Sequence, residues 1–300
     1  VKEYLAVRRD VELAVRRGRP VVALESTLIA HGLPRPQNVE VALRAEEQVR
    51  SLGVVPATVG ILEGRIVVGL SEAQIRSLGS EENVLKVSRR DFPYALARRQ
   101  KAATTVCGTM LAAHLAGIRV FATGGIGGVH RGAAESFDVS ADLLELARTP
   151  VIVVSAGAKT ILDLPKTLEV LETLGVPVLG YRTARFPAFY STESALPLDA
   201  RVESPPEIVA IYRAQRTLGF EQGLLVANPI AREAEIPPEI AAAYLKQALQ
   251  DLSDGGITGK EVTPFLLARI FELSGGRSLE ANIELLLGNV RLACEIARCL

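Results

Sequence analysis

Residues 150–181, PVIVVSAGAKTILDLPKTLEVLETLGVPVLGY, carry the pattern that sets the fold class. Two short apolar runs, Val151 to Ser155 and Val176 to Tyr181, read as strands separated by a longer segment. The same alternation recurs outward in both directions. Further strands are expected at Pro20 to Leu24, Val84 to Val87, Arg119 to Thr123 and Gly223 to Ala227, most of them separated by helical segments such as Thr105 to Ala116. A helix from about Gln37 to Leu52 places Val39, Leu43 and Val49 on one face. The pattern predicts a three-layer α/β/α fold with a mostly parallel central sheet. One element departs from it: ILEGRIVVGL sets Glu63 and Gly64 between apolar runs, the mark of a small hairpin, after which Ser71 caps a short helix. Three helical stretches follow Pro238, and the last buries a stripe of Ile283, Leu286, Leu287, Val290 and Ala293. No linker or internal repeat divides the chain, so one catalytic domain over 1–300 is expected, with a helix in 1–19 and helices of 238–300 packing on the sheet. Arg182 to Pro206 reads as an irregular lid or interface loop.

Composition narrows the function. Of the 300 residues, 48% are hydrophobic and 23% charged, which excludes long disorder as the main character of the chain. The 34 basic residues cancel 34 acidic ones, so no overall field draws the protein to nucleic acid or an anionic membrane. Cys107, Cys294 and Cys299 form no CxxC pair, and a reducing compartment fits them best. The absence of long apolar runs and of a secretory signal pattern leads to the expectation of a soluble, cytoplasmic protein.

Polar residues just beyond apolar strands are the candidate site, because open α/β sheets bind ligands past their carboxyl ends. In VVALEST, Glu25 follows the first strand; burial there would raise its pKa as a general acid requires, while a structural ion pair is the plainer role. In VFATGGIGGVHRGAAESFDVSAD, four glycines at 124, 125, 127 and 128 suggest close approach to a ligand or positive φ, without matching a dinucleotide fingerprint or a P-loop. His130 and Arg131 follow as contacts for an anion or a base. Asp138 and Asp142 offer hard oxygen ligands for Mg2+ or Mn2+, and Ser140 with Asp142 also suits a helix start. In VIVVSAGAKT, Lys159 lies past an apolar strand and at an expected helix start, where a neutral, imine-forming amine is favoured over ammonium. Lys86, Arg89 and Arg90 in VLKVSRRDFP form either a phosphate clamp or exposed charge. Together these point to phosphosugar chemistry, and suit an imine-forming lyase or aldolase as well as a glycosidase.

Nine segments in order, ALEST, RPQN, VSRRDFP, FATGGIGGVHRG, FDVSADL, AGAKTILDLP, VANPI, GKEVTPFLLARI and LEANIELL, closely resemble the pseudouridine-5'-phosphate glycosidases from about Pro20 almost to the C-terminus. The resemblance implies reversible cleavage of pseudouridine 5'-phosphate by water to uracil and ribose 5-phosphate, a divalent cation (Mn2+, or another such as Mg2+), and a homotrimer. It implies Glu25 as proton donor, Lys159 as the nucleophile bonding C1', and Asp138 as metal ligand aided by waters. It places Lys86, Val106 and the Ser140, Ala141, Asp142 turn on the phosphorylated ribose, and Thr123, His130 and Asn282 near the uracil. A Schiff-base aldolase on a sugar phosphate and a noncatalytic phosphosugar-binding protein are the competing readings.

Overall fold

The computed structural model describes residues 3–257 and 262–300. Its strands are β1 (Leu5–Val7), β2 (Val21–Leu24), β3 (Val55–Leu62), β4 (Arg65–Val68), β5 (Leu85–Val87), β6 (Ala102–Thr104), β7 (Val120–Ala122), β8 (Ile152–Ser155), β9 (Val178–Tyr181), β10 (Ala200–Val202) and β11 (Leu224–Ala227). Its helices are α1 (Arg9–Arg16), α2 (Gln37–Ser51), α3 (Glu72–Ser80), α4 (Phe92–Ala97), α5 (Val106–Leu115), α6 (Ala133–Ser136), α7 (Ala141–Leu146), α8 (Leu164–Thr173), α9 (Pro205–Thr217), α10 (Pro238–Asp254), α11 (Val262–Leu273) and α12 (Arg277–Cys299).

Every residue of β2, β7, β8 and β11 is buried. Strands covered on both faces need such unbroken apolar runs, and parallel pairing needs long crossovers to supply the cover. The sheet runs β1-β4-β3-β2-β7-β8-β11-β9-β10, parallel throughout from β3 to β10. Helix α12 lies against β2, β7 and β8 and packs on α2 and α9, whereas α5 reaches β2 and β7 and packs on α7. The layered α/β fold expected from the alternation is the fold observed. Val22, Phe121, Val153, Val226 and Val290 belong to one core shared by sheet and helices.

The expected hairpin is present, and its first strand also joins the parallel sheet. β3 pairs with β2 through Val55–Thr58 and then, antiparallel, with β4 through Val59–Leu62. Glu63 at φ 51° and Gly64 at φ 76° make the two-residue, left-handed turn whose twist suits a tight hairpin. Ser71 caps α3 as expected, with Gln74 closing the capping box.

Three short strands depart from the sequence reading. In the segment 1–19 the expected helix is present as α1, and ahead of it Leu5–Val7 form β1, which adds in parallel to the open edge of β4. Arg8 holds the junction: its amide donates to Val68 O at 2.9 Å and its guanidinium to Leu70 O and Pro56 O. The exposed sheet edge captures the three residues ahead of that helix. β6 pairs with β3 and β5, and β10 gives part of the 182–206 loop a place beside β9. Residues 259–261 of GKEVTPFLLARI lie outside the described residues, as does 1–2 of the expected N-terminal helix.

Candidate active site

Strand order reverses between β2 and β7: the chain moves from β2 outward to β3, then returns to β7 on β2's other side. Such a switch point opens a crevice beyond the carboxyl ends of the strands. Glu25 immediately follows β2 and Thr123 immediately follows β7, and the Thr123 hydroxyl donates to Glu25 Oε1. Glu25, Lys86, His130, Asp138, the Ser140, Ala141, Asp142 turn, Val106 and Lys159 line one cavity of about 610 Å3. Tertiary structure therefore brings together most of the residues singled out from sequence.

Burial raises the Glu25 carboxyl above the usual carboxylate range, and the charge of Asp142 adds to it; Lys159, the Thr123 hydroxyl and Lys86 pull the other way without cancelling it. The result is an acid that holds its proton longer than a solvated Glu. Lys159 reaches the cavity from the segment after β8, where its amide donates to Ile126 O at 3.1 Å and Ala158 bridges Ile126. It does not stand at a helix start. α8 begins at Leu164 with Asp163 as its cap, so the dipole argument for a neutral amine does not hold, and Lys159 is distinguished by its place beside Glu25.

The glycine-rich loop has a different cause from the one expected. None of Gly124, Gly125, Gly127 and Gly128 has positive φ. A Cβ at Gly127 would come within 2.2 Å of Ser140 Oγ, one at Gly128 within 2.4 Å of Thr167 Oγ1, and one at Gly125 within 2.6 Å of the Phe189 ring. The protein's own side chains occupy the space. Asp142 is part of this packing: its Oδ1 accepts from Cys107 N at 2.8 Å and its Oδ2 from Gly127 N at 2.7 Å. At 4% exposure, with both oxygens bonded to backbone, Asp142 ties the loop to the start of α5 and is not placed as a metal ligand. Ser140 caps α7 by accepting from Asp142 N. Val106 is 1% exposed, so it meets a ligand only through its main chain. Val106 and Ala141 are the first residues of α5 and α7, whose amides have no intrahelical acceptor and suit an anion.

Asp138 is the carboxylate left open. Its side chain is 45% exposed, and its nearest basic partner, His130 Nδ1, is 3.9 Å away, beyond hydrogen-bonding distance. Burial lowers the His130 pKa, assisted by Lys159 and Lys86 against the opposing pull of Asp138, so the imidazole is held neutral. No group of three or more His, Cys, Asp or Glu suited to a metal occurs among the described residues. One open carboxylate with room for water does fit Mg2+ or Mn2+, which keep several waters.

The basic cluster divides. Arg89 is committed to Glu145, donating from Nε at 2.7 Å and Nη2 at 2.5 Å, while Arg90 lines the cavity at 80% exposure. Burial alone would raise the Glu145 pKa, but hydrogen bonds from Arg89 and Thr149 and the charges of Arg89 and Arg148 hold it below the usual range. Glu145 thus contributes stability above the ordinary carboxylate range, and that contribution is lost as pH falls through its depressed pKa. Glu145→Gln is expected to cost about 2 kcal/mol at neutral pH, less than breaking a fully enclosed pair because Arg89 keeps 38% exposure. Thermal melts from pH 7 down to acid test this: the gap between variant and parent should narrow as pH falls.

Thr123 and Asn282, which the resemblance sets near the uracil, lie outside the lining of the main cavity. Thr123 is fully buried and bonded to Glu25, so its hydroxyl steadies the acid. Asn282 faces a smaller recess that also includes Glu25 and Lys159. Asn289, missed from sequence, donates to Thr123 O at 2.8 Å and accepts from Asn228, bracing the end of β7. A polar residue inside the apolar stripe of α12 was its signal. Ser88 and Thr105, hydroxyls 2.9 Å apart on the cavity wall, were also missed.

A family model described as indigoidine synthase A like protein matches residues 10–299. Among curated relatives, pseudouridine-5'-phosphate glycosidase of Caldanaerobacter subterraneus subsp. tengcongensis is 51% identical over 297 residues, covering 99% of this chain and 97% of the relative. The protein of the same name from Paracoccus denitrificans is 55% identical over 295 residues, covering 98% and 97%. Among solved structures, the prealnumycin C-glycosynthase AlnA in complex with ribulose 5-phosphate superposes with a TM-score of 0.92 at 39% identity, covering 99% of this chain and 97% of the other. An indigoidine synthase A-like protein from Thermotoga maritima superposes with a TM-score of 0.89 at 40% identity, covering 98% and 95%.

Proposed function

The chain belongs to the indigoidine synthase A-like family, and from that membership and its glycosidase relatives we infer that it is a pseudouridine-5'-phosphate glycosidase. It cleaves the C-glycosidic bond of pseudouridine 5'-phosphate with water, reversibly, to uracil and ribose 5-phosphate. The observation that carries this reading is the meeting of a proton-retaining Glu25 with Lys159 in a cavity bordered by basic residues and helix starts.

The bond explains the constellation. Ordinary glycosidases protonate a leaving oxygen between paired carboxylates. Here carbon leaves, so an acid must protonate uracil C5, and an amine that opens the sugar can carry C1' through an imine. In this mechanism Glu25 gives its proton to the ring oxygen as the sugar opens, and takes a proton back from the Lys159 amine as that amine adds to C1'. Glu25 then delivers the proton to C5 as the C–C bond breaks, and water hydrolyses the ribose imine, freeing the amine. Lys86, Arg90 and the Val106 and Ala141 amides hold the phosphate end. Neutral His130 and the Asn282 amide face the base, and Thr123 keeps Glu25 in place.

Asp138 with waters is the proposed holder of Mn2+ or Mg2+, which would supply positive charge beside the phosphate. Asp138→Ala is expected to weaken Mn2+ binding at least about tenfold, measured by metal titration both of activity and of binding to the free protein. Wild-type metal affinity in the variant would remove Asp138 from this role. A homotrimer and a reducing cytoplasm complete the proposal, supported by the family resemblance and by free Cys107, Cys294 and Cys299. No helix among the described residues is long and apolar enough to cross a membrane.

Mass spectrometry of the protein after ribose 5-phosphate, Mn2+ and borohydride, with and without uracil, tests the reading. A sugar-phosphate adduct on Lys159, with pseudouridine 5'-phosphate formed when uracil is present, is the expected result. An adduct without that product would favour an aldolase.

A further inference from the structure

The recess that holds Asn282 does not end at the catalytic pair. It has a volume of about 40 Å3 and shares His31, Pro264, Leu267 and Asn282 with a second chamber of about 290 Å3. The shared residues set the small recess, here called the neck, between Glu25 and Lys159 on one side and the adjoining chamber on the other. Leu33, Pro34, Tyr190, Phe271 and Leu279 make the chamber walls predominantly apolar. Asn282 stands at the junction, 8% exposed, with its Oδ1 lacking a hydrogen-bond partner. A buried acceptor left unpaired is costly, and a ligand N–H at the junction would satisfy it.

Apolar walls exclude the phosphate, whose place is the charged main cavity, and favour the uncharged partner of the sugar. A ring bonded to C1' has the neck to occupy, and the chamber adjoins its far edge. We propose that this chamber extends the base site, so that the enzyme in its synthetic direction joins ribose 5-phosphate to neutral, electron-rich bicyclic heteroaromatics bearing a ring N–H. This rests on the C-glycosidase reading. In the step itself, condensation of Lys159 with the sugar aldehyde releases water and forms the imine, and a nucleophilic ring carbon attacks C1'. The proton on that carbon passes to the Glu25 carboxylate, and closure of the sugar hydroxyl onto C1' displaces the Lys159 amine. Acceptor and ribose 5-phosphate thus give a C-glycoside and water, with no change of oxidation state overall.

The test gives the full-length protein, with ribose 5-phosphate and Mn2+, either uracil or 4-hydroxyindole, and follows acid-stable ribosyl phosphate products by mass spectrometry. Both products are expected. Ala268, exposed on α11, lines the chamber but not the neck. Ala268→Trp is expected to lower kcat/KM for 4-hydroxyindole at least about tenfold and leave that for uracil within about twofold. A uracil product without an indole product overturns the proposal and spares the glycosidase reading. Equal losses for both acceptors in the variant also overturn it. Failure to make even the uracil product overturns both.

Discussion

Lys159→Ala is expected to lower turnover at least about 10^3-fold and to abolish the borohydride-trapped sugar adduct. Lys159 comes from the segment beyond β8 and meets Glu25 from the segment beyond β2, so its amine and the acid approach one substrate from separate strands. Removing the amine leaves ring opening without the group that captures C1'. Lys159→Arg separates two roles: a guanidinium preserves positive charge beside Glu25 but is far too weakly nucleophilic to form the imine. Both variants should therefore be inactive while ribose 5-phosphate still binds, measured by single-turnover kinetics beside direct titration. Retention of even about a tenth of the parent turnover by either one would exclude a covalent lysine.

Glu25→Gln is expected to cost about 10^2 to 10^4 in kcat, with a smaller change in KM, because an amide keeps the shape of the acid and cannot deliver a proton to carbon. The pH profile adds a sharper test. Burial raises the Glu25 pKa, so the proton-donating form persists above the usual carboxylate range, and the parent's cleavage rate falls as pH rises through that raised value. The Gln variant should lack that limb. Stability follows pH in the same direction. A carboxyl with a raised folded-state pKa contributes stability below its unfolded pKa and loses it as pH rises through the folded value. At neutral pH the Gln variant is therefore expected to melt no lower than the parent. Normal activity with an unchanged pH profile would remove Glu25 from the mechanism.

The layered fold is legible in the sequence, because central parallel strands must be apolar on both faces and their crossovers must supply helices. VVAL, VIVVS and GLLVA declare this locally, as does the left-handed Glu63, Gly64 turn. β1, β6 and β10 were not legible: LAV, AAT and ARV are short and carry no run of β-branched residues, and each owes its conformation to a neighbouring strand.

Among the site residues, Glu25 and Lys159 could be found from their positions after apolar runs. Their function as a pair depends on β2, β7 and β8 becoming neighbours across a strand-order reversal. Residue type also left Asp138 and Asp142 alike. Packing distinguished them, spending both oxygens of Asp142 on backbone amides and leaving Asp138 open at the cavity. The same holds for the glycines at 124–128, which sequence marks as a place of close approach and the folded chain fills with Phe189, Ser140 and Thr167. Composition and order along the chain determined which elements form and which groups are available for chemistry. Contacts between segments far apart in sequence decided which of those groups are free to react, because burial, hydrogen-bond satisfaction and local charge exist only once the chain has folded.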